Sequence, residues 1–496
     1  MRKKTFLLLS LLVLLLLIAT QSINAITISA GTSFTLNSSN IASFNNTDQI
    51  IINGTLYIDM TGTVNLSAGN FIVNTGGKIT YHSNKADQNF TLKITADSCE
   101  IYGSIDFAGQ NGKNQGKAGV GKNGSNGGSG KNGKNLILNT RQLKISGTID
   151  TNGGQGGKGG NGGDDDLVHF VDPGRGGDGG NGGEAGNITI TAERFIFSSS
   201  GTITANGGKG GKGGDGGDPG WVGSGADGGK GGNGGAAGQI EIISTYLDLD
   251  GKIESKKGLG GEAGTGSNGK NRGNGNPYPI DYPAKIFYGY GDATFSSNPA
   301  AQLYPDKAAP LPEAAFRITI ESNGVTRNGI YYTNDNSPVV NWTRFQEVEE
   351  YYEGKLIPIS GFKHYEIKLF KDNQRIDVDG GSNPLNITIQ NKIELKRGFL
   401  NSPPSNLEDG NYELQVFASD MANNQSNGYP SPAFKFIIDT NPPTTPVLKP
   451  ESNVSTTQVT ANWQPSSDNH QIIDSYELQV YESLPGGLQK PLTNRI

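Results

Sequence analysis

The chain has 496 residues, among them 75 Gly, 23 Pro and a single Cys, and 18% are charged. Apolar side chains make up 33% and Gly about 15%, roughly twice its usual share, a balance that argues against one large helical or α/β enzyme core. The formal net charge is −6, so the chain as a whole has no electrostatic case for nucleic acid, and one Cys excludes both a disulfide framework and a Cys-rich zinc site.

Arg2, Lys3 and Lys4 precede an almost wholly apolar run from Phe6 to Ala19, and Ile23-Asn24-Ala25 offers a small residue for cleavage. This is the layout of a secretory signal peptide over residues 1–25. The run is shorter than the ~20 residues a membrane span needs, and no second long apolar run follows. The expectation is an exported protein, secreted to the extracellular space or held at a cell surface, with no transmembrane span after cleavage.

From residue 26 to 276 the sequence repeats. Leu92, Ile94, Cys99, Ile101, Gly103 and Ile105 set a spacing that Leu136, Leu138, Leu143, Ile145, Gly147 and Ile149 repeat without a gap. Ile240, Ile242, Leu247, Leu249, Gly251 and Ile253 follow the same pattern. Val64 to Ile79 and Ile188 to Ile203 match it with two residues inserted before the glycine, and Ile50, Ile52, Gly54 and Leu56 form a half copy. Apolar residues two apart mark strands with one buried face. A unit of this kind buries its face only by stacking on copies of itself. The expected fold is therefore all-β: a parallel β-solenoid with aliphatic ladders inside. Its end rungs need covers, for which residues 26–50 and the Tyr- and Pro-rich stretch 277–313 are candidates. Cys99 falls on a ladder position shared by Phe71, Leu143, Phe195 and Leu247, so it reads as a small buried hydrophobe rather than a reactive thiol.

Residues 101–275 hold 56 of the 75 glycines and only two prolines, Pro173 and Pro219, which excludes collagen. The tracts Gly153–Gly163, Gly176–Gly186, Gly207–Gly217 and Gly228–Gly238 are each 11 residues of Gly-Gly-X character. Each begins just after a rung or ends just before the next. A helix with three residues per turn places every X on one edge and leaves two edges bare, so neighbouring backbones can approach closely. The reading is a bundle of polyglycine-II hairpin arms, each reaching roughly 34 Å. Gly109–Gly133 suits an end position, and Gly258–Gly275 is a shorter fourth arm.

Recognition, if present, belongs at the arm tips. One tip carries Asp164, Asp165, Asp166, His169 and Phe170; the other carries Trp221 and Val222. Apolar residues on a projecting tip are contact candidates, although they equally close the arms by packing on one another. The acidic run supplies oxygen ligands of the kind Ca²⁺ takes, or is a solvated turn. This half resembles repetitive surface-protein solenoids of bacterial adhesins. Its arms look like the polyglycine-II bundles of phage tail-tip adhesins and glycine-rich antifreeze proteins, although the charged X residues Lys158, Asp178, Lys209 and Lys212 count against an ice-binding face.

From about residue 314 glycine falls and short alternating strands appear: Phe316–Ile320, Val339–Trp342, Tyr365–Phe370, Leu385–Ile389, Tyr412–Ala418 and Phe434–Ile438. That is sandwich patterning over 314–440. Leu407–Tyr412 followed by Ala418–Asn424 resembles bacterial Ig-like and fibronectin type III domains, which implies a buried Tyr delivered by a turn. Trp463-Gln464-Pro465 and Tyr476–Val480 resemble the first half of a fibronectin type III domain, so 441–496 reads as an incomplete one.

No His-Glu-x-x-His, Gly-x-Ser-x-Gly or P-loop lysine signature is present. Asp106, Asp150, Asp248 and Asp250 neighbour rungs, but Thr80 and Thr204 break the row, so no catalytic dyad is indicated and no cofactor is implied. The expected function is a non-enzymatic structural or adhesive surface protein that meets an extracellular glycan or a cell-surface protein. The alternative is a polysaccharide-binding or polysaccharide-degrading β-helix protein.

Overall fold

The computed structural model describes residues 24–165, 171–220, 224–268, 270–293, 295–379, 386–399, 402–449, 461–468, 473, 475–483, 487 and 489–491. The apolar leader lies outside them. The chain divides into two compact units: one runs to Lys307 and also includes Glu349–Ser360, and the other comprises Ala308–Val348 and the residues from Gly361 onward. No helix among the described residues is long and apolar enough to cross a membrane.

The first unit is a parallel β-solenoid built from two sheets. Nine strands form the first: Ala25–Ile28, Thr47–Ile52, Gly62–Val73, Phe90–Ile101, Asn135–Ile145, Ile188–Phe197, Ile240–Leu249, Lys285–Ala293 and Gln302–Pro305, stacked in chain order. Eight shorter strands, from Ser33–Leu36 to Ser296–Asn298, stack in parallel order to form the second. The register is the one the apolar spacing predicts. Phe71 pairs with Cys99, Cys99 with Leu143, Leu143 with Phe195, and Phe195 with Leu247. Ile105, Ile149, Ile203 and Ile253 form the matching ladder on the second sheet.

These ladders make one core that runs from Ile28 to Ile286. Each fully buried Ile, Leu or Phe contributes about 1.5–3 kcal/mol of transfer free energy, which offsets backbone ordering that no disulfide relieves. The predicted corners are also present. A β-carbon at Gly103 would lie 2.2 Å from the Gly77 carbonyl oxygen, and one at Gly147 2.0 Å from that of Gly103, so the corner admits no side chain. The two inserted residues of the longer rungs form tight turns, with Gly77 N–H donating to Asn74 O at 2.7 Å and Gly201 N–H to Ser198 O at 2.8 Å.

Both expected covers need correction, because they are themselves rungs. Ala25–Ile28 pairs with Gln49–Ile52 and Ser33–Leu36 with Thr55–Ile58, so the coil begins inside the segment read as a cap. Phe44, on a short 3₁₀ turn, is the part of that segment that plugs the core. Likewise Lys285–Ala293 and Gln302–Pro305 continue the first sheet beyond residue 276. Their apolar residues escaped the repeat because Gly291 and Ala293 stand where the preceding rung carries Leu247 and Leu249.

The second unit is a mainly antiparallel β-sandwich, with Ile330–Thr333 joining Tyr429–Ile438 in parallel. A three-stranded sheet holds Ile318–Ile320, Val339–Trp342 and Lys392–Glu394. A larger sheet is built around Phe362–Lys371, Gly410–Asp420 and Tyr429–Ile438, and the hairpin Gly324–Arg327/Ile330–Thr333 adds to its edge. Trp342 and Tyr365 are buried and meet edge to face at 5.3 Å, as core residues should. Tyr412 is buried and its hydroxyl donates to the Glu408 carbonyl at 2.5 Å, so the turn does deliver a buried Tyr. Among the described residues after 441, Val447–Leu448 pairs with Trp463–Gln464, and Tyr481–Ser483 with Gln489–Pro491.

Candidate binding surface

Four excursions leave the solenoid between a short second-sheet strand and the next first-sheet strand: residues 107–134, 151–187, 205–239 and 255–284. Their bases are fixed by the core. Phe107 and Ala205 belong to it, and at the equivalent positions Thr151 Oγ1 donates to Gly186 O at 2.9 Å and Ser255 Oγ to Gly238 O at 2.5 Å. Outgoing and returning halves are thus buttoned together where they meet the coil.

The glycine helices form two rows, one outgoing and one returning, and the backbone bonds repeat every three residues. Within the outgoing row the first glycine of each triplet donates to an X carbonyl of the next arm. Gly153, Gly156, Gly159 and Gly162 donate to Asn206, Lys209, Lys212 and Asp215 at 2.8–2.9 Å. Between rows the second glycine donates: Gly177, Gly180 and Gly183 bond to Gly160, Gly157 and Gly154, and Gly208, Gly211 and Gly214 bond to Gly183, Gly180 and Gly177. An interior helix is therefore hydrogen-bonded to helices of both rows. The contact is as close as bare edges allow: a β-carbon at Gly211 would lie 2.0 Å from the Gly157 carbonyl oxygen. The arm at 107–134 stands at one end of the rows, where a β-carbon at Gly116 or Gly119 meets nothing within 4 Å.

One device was missed by sequence reasoning. The X residue's own N–H faces outward, and a side chain from the preceding arm receives it. Asn126 Oδ1 accepts from Asp178 N–H at 2.9 Å, and Asp178 Oδ1 from Lys230 N–H at 2.8 Å. Asn181 accepts from Asn233, and Asn233 from Asn276, both at 2.9 Å. On the outgoing row Asn114 accepts from Lys158 at 2.7 Å and Asp215 from Thr265 at 2.9 Å. The available signal was an Asn or Asp at one X position and another X residue 52 positions later.

The first two arms carry opposite charge. Residues 107–134 contain five Lys and no acid, whereas the next arm carries Asp164, Asp165, Asp166, Asp172, Asp178 and Glu184. Lys117 meets Asp164 at 2.5 Å, Lys131 meets Asp87 at 2.6 Å, and Arg272 reaches Asp178 at 3.7 Å. Lys134 is buried; its Nζ donates to Ala86 O at 2.7 Å and lies 5.4 Å from the Tyr81 ring centre, and burial lowers its pKa.

At the tips, Asp166, His169, Phe170, Trp221 and Val222 lie outside the described residues. Asp164 and Asp165 are described and are engaged by protein groups. Asp164 Oδ1 accepts from Asp218 N–H at 3.2 Å, and Asp165 Oδ2 from Gly220 N–H at 3.0 Å. The hydrogen bond with Lys117 lowers the pKa of Asp164, with the Asp218 amide adding to it. Val171, 40% exposed, lies over Gly121, which turns the outer arm at φ +63°.

The candidate acids separate into two places. Asp106 and Asp150 are register partners on the second sheet. Asp106 is bound by Lys78 at 2.6 Å, and Asp150 Oδ1 accepts from Asn152 N–H at 2.8 Å. Asp248 is on the first sheet, where its register partner is Asp292, and Asp250 follows it at the corner, where its N–H donates to Phe197 O.

No family model, no curated protein and no solved structure matches the chain.

Proposed function

We propose that the chain is an exported structural and adhesive protein, in which the solenoid holds out a stiff plate of glycine helices and the sandwich domains serve as stalk or further binding units. The observation that supports this is the three-residue hydrogen-bond repeat joining two rows of glycine helices, which leave one corner of a hydrophobic coil. Such a plate fixes the glycine helices from which the tips project, and a display surface held by a rigid scaffold lowers the ordering entropy of binding. The partner class is an extracellular glycan or a cell-surface protein. The test is binding of the intact chain to cells and to immobilised glycans, compared with a Phe170→Ala/Trp221→Ala variant. Adhesion through the tips requires binding to fall at least tenfold while the melting temperature holds; unchanged binding leaves the arms as spacers.

The polysaccharide-degrading alternative rests on the Asp106–Asp150 pair. Lys78 already engages one carboxylate and the Asn152 amide the other. Turnover of pectin-like or alginate-like polymer, abolished by Asp150→Asn, would favour that alternative.

A further inference from the structure

At the far end of the solenoid the outer face of the first sheet is covered by a hairpin that belongs to the same unit, Glu350–Tyr352 paired with Lys355–Ile357. An aromatic stack fastens it: Phe287 to Tyr304 at 4.8 Å, then Tyr304 to Tyr352 at 4.2 Å. Two ion pairs flank the stack. Lys285 meets Glu353 at 2.6 Å, and Lys355 meets Glu241. The turn of the hairpin places Glu353 at φ +48° and Gly354 at φ +77°. Two-residue hairpin turns of this kind favour Asn or Asp at the first of those positions. A Glu there stores backbone strain, and its carboxylate is held over Lys285.

Between the hairpin, the sheet and the return of the last arm lies a cavity of about 400 Å³, lined by these four charged residues together with Gln239, Tyr282 and Pro283. That volume falls within the range of about 300–1,000 Å³ typical of small-molecule sites. The four charges cancel, so the cavity favours neither an anion nor a cation. Each paired carboxylate still has lone pairs, and each paired ammonium still has N–H donors. The wall therefore alternates acceptors and donors beside the apolar surface of Tyr282 and Pro283. A pyranose has matching chemistry: an apolar C–H face, and hydroxyls that each donate and accept.

We propose that this cavity is a subsite for a neutral sugar of an extracellular polysaccharide. It is separate from the arm tips and rests on the same reading of an extracellular glycan partner; loss of oligosaccharide binding in Tyr282→Ala but not in Phe170→Ala/Trp221→Ala assigns the sugar to the cavity, and the reverse assigns it to the tips. The test is isothermal titration calorimetry of the intact chain with cellohexaose, chitohexaose, maltohexaose and hexagalacturonate. The expected result is binding of at least one neutral hexasaccharide, little changed when salt is raised, with hexagalacturonate no tighter. Tyr282→Ala should weaken that binding at least tenfold. Gln239→Ala, at an exposed rim position, should weaken it severalfold and serves as the second variant if Tyr282→Ala does not fold. The proposal is overturned if no neutral hexasaccharide binds, if both variants bind as the parent does, or if hexagalacturonate binds more tightly than every neutral sugar.

Discussion

Two side-chain environments make sharp demands at single positions. Gly211 has a neighbouring carbonyl oxygen where its β-carbon would stand, whereas Gly116 faces open space on the end arm. Gly211→Ala is expected to destabilise the first unit by about 1–3 kcal/mol, the usual range for overpacking. Gly116→Ala should lie within about 0.5 kcal/mol of the parent. Thermal melts of the two variants, matched in chemistry, measure the difference; equal melting temperatures would contradict close backbone contact. Cys99 is fully buried, and burial pushes its thiol up to about 12. It should resist a thiol reagent in the folded chain and react only in denaturant. Labelling of the native protein would show that the ladder is open at that rung.

Among the elements, the short second-sheet strands carry ionisable groups with opposite pH signatures. Burial raises the pKa of Asp150, with Asp106 adding to the effect and the Asn152 amide opposing it. A carboxyl raised above its unfolded value supports the fold below the ordinary carboxylate range and loses that support as pH rises through the folded value. Asp150→Asn keeps the acceptor for Asn152 and should melt higher than the parent at pH 7, with the gap closing toward pH ~4. Glu254 has the reverse sign. Lys252 at 2.9 Å and Lys256 at 3.3 Å lower its pKa against the opposing effect of burial, so its support is present at neutral pH and is lost as pH falls through the folded value. Glu254→Gln should therefore melt lower at pH 7, by no more than about 1 kcal/mol, and match the parent in acid.

The aliphatic ladders of the coil were readable because period two and a repeated corner glycine admit few folds. Val64 through Ile253 fell into register as spaced. The glycine plate was readable for the same reason, at period three. The last rungs were not, because Gly291 and Ala293 interrupt the aliphatic code opposite Leu247 and Leu249, and their pairing is decided by the strand beneath them. The Lys285–Glu353 and Lys355–Glu241 pairs join residues 68 and 114 positions apart, a separation that no local pattern announces.

At the scale of the whole first unit, coil and plate share one continuous hydrogen-bonded backbone. Amides such as Gly157, Gly180 and Gly211 should exchange with solvent as slowly as those of a ladder strand such as Asn135–Ile145, since each is bonded to a neighbouring glycine helix. Hydrogen exchange read by mass spectrometry checks this; fast exchange throughout the glycine tracts would mark them as loose loops. Because every arm departs after one turn of the coil and rejoins before the next, the reach of the plate is independent of the hydrophobic interior. One triplet added to each half lengthens an arm by about 9 Å. A lone lengthened arm would expose unpaired amides at its end, so neighbours gain by growing in step. The equal length of the four inner tracts is what such coupled growth leaves behind, and it makes standoff distance a property that tandem duplication can tune without repacking a single core residue.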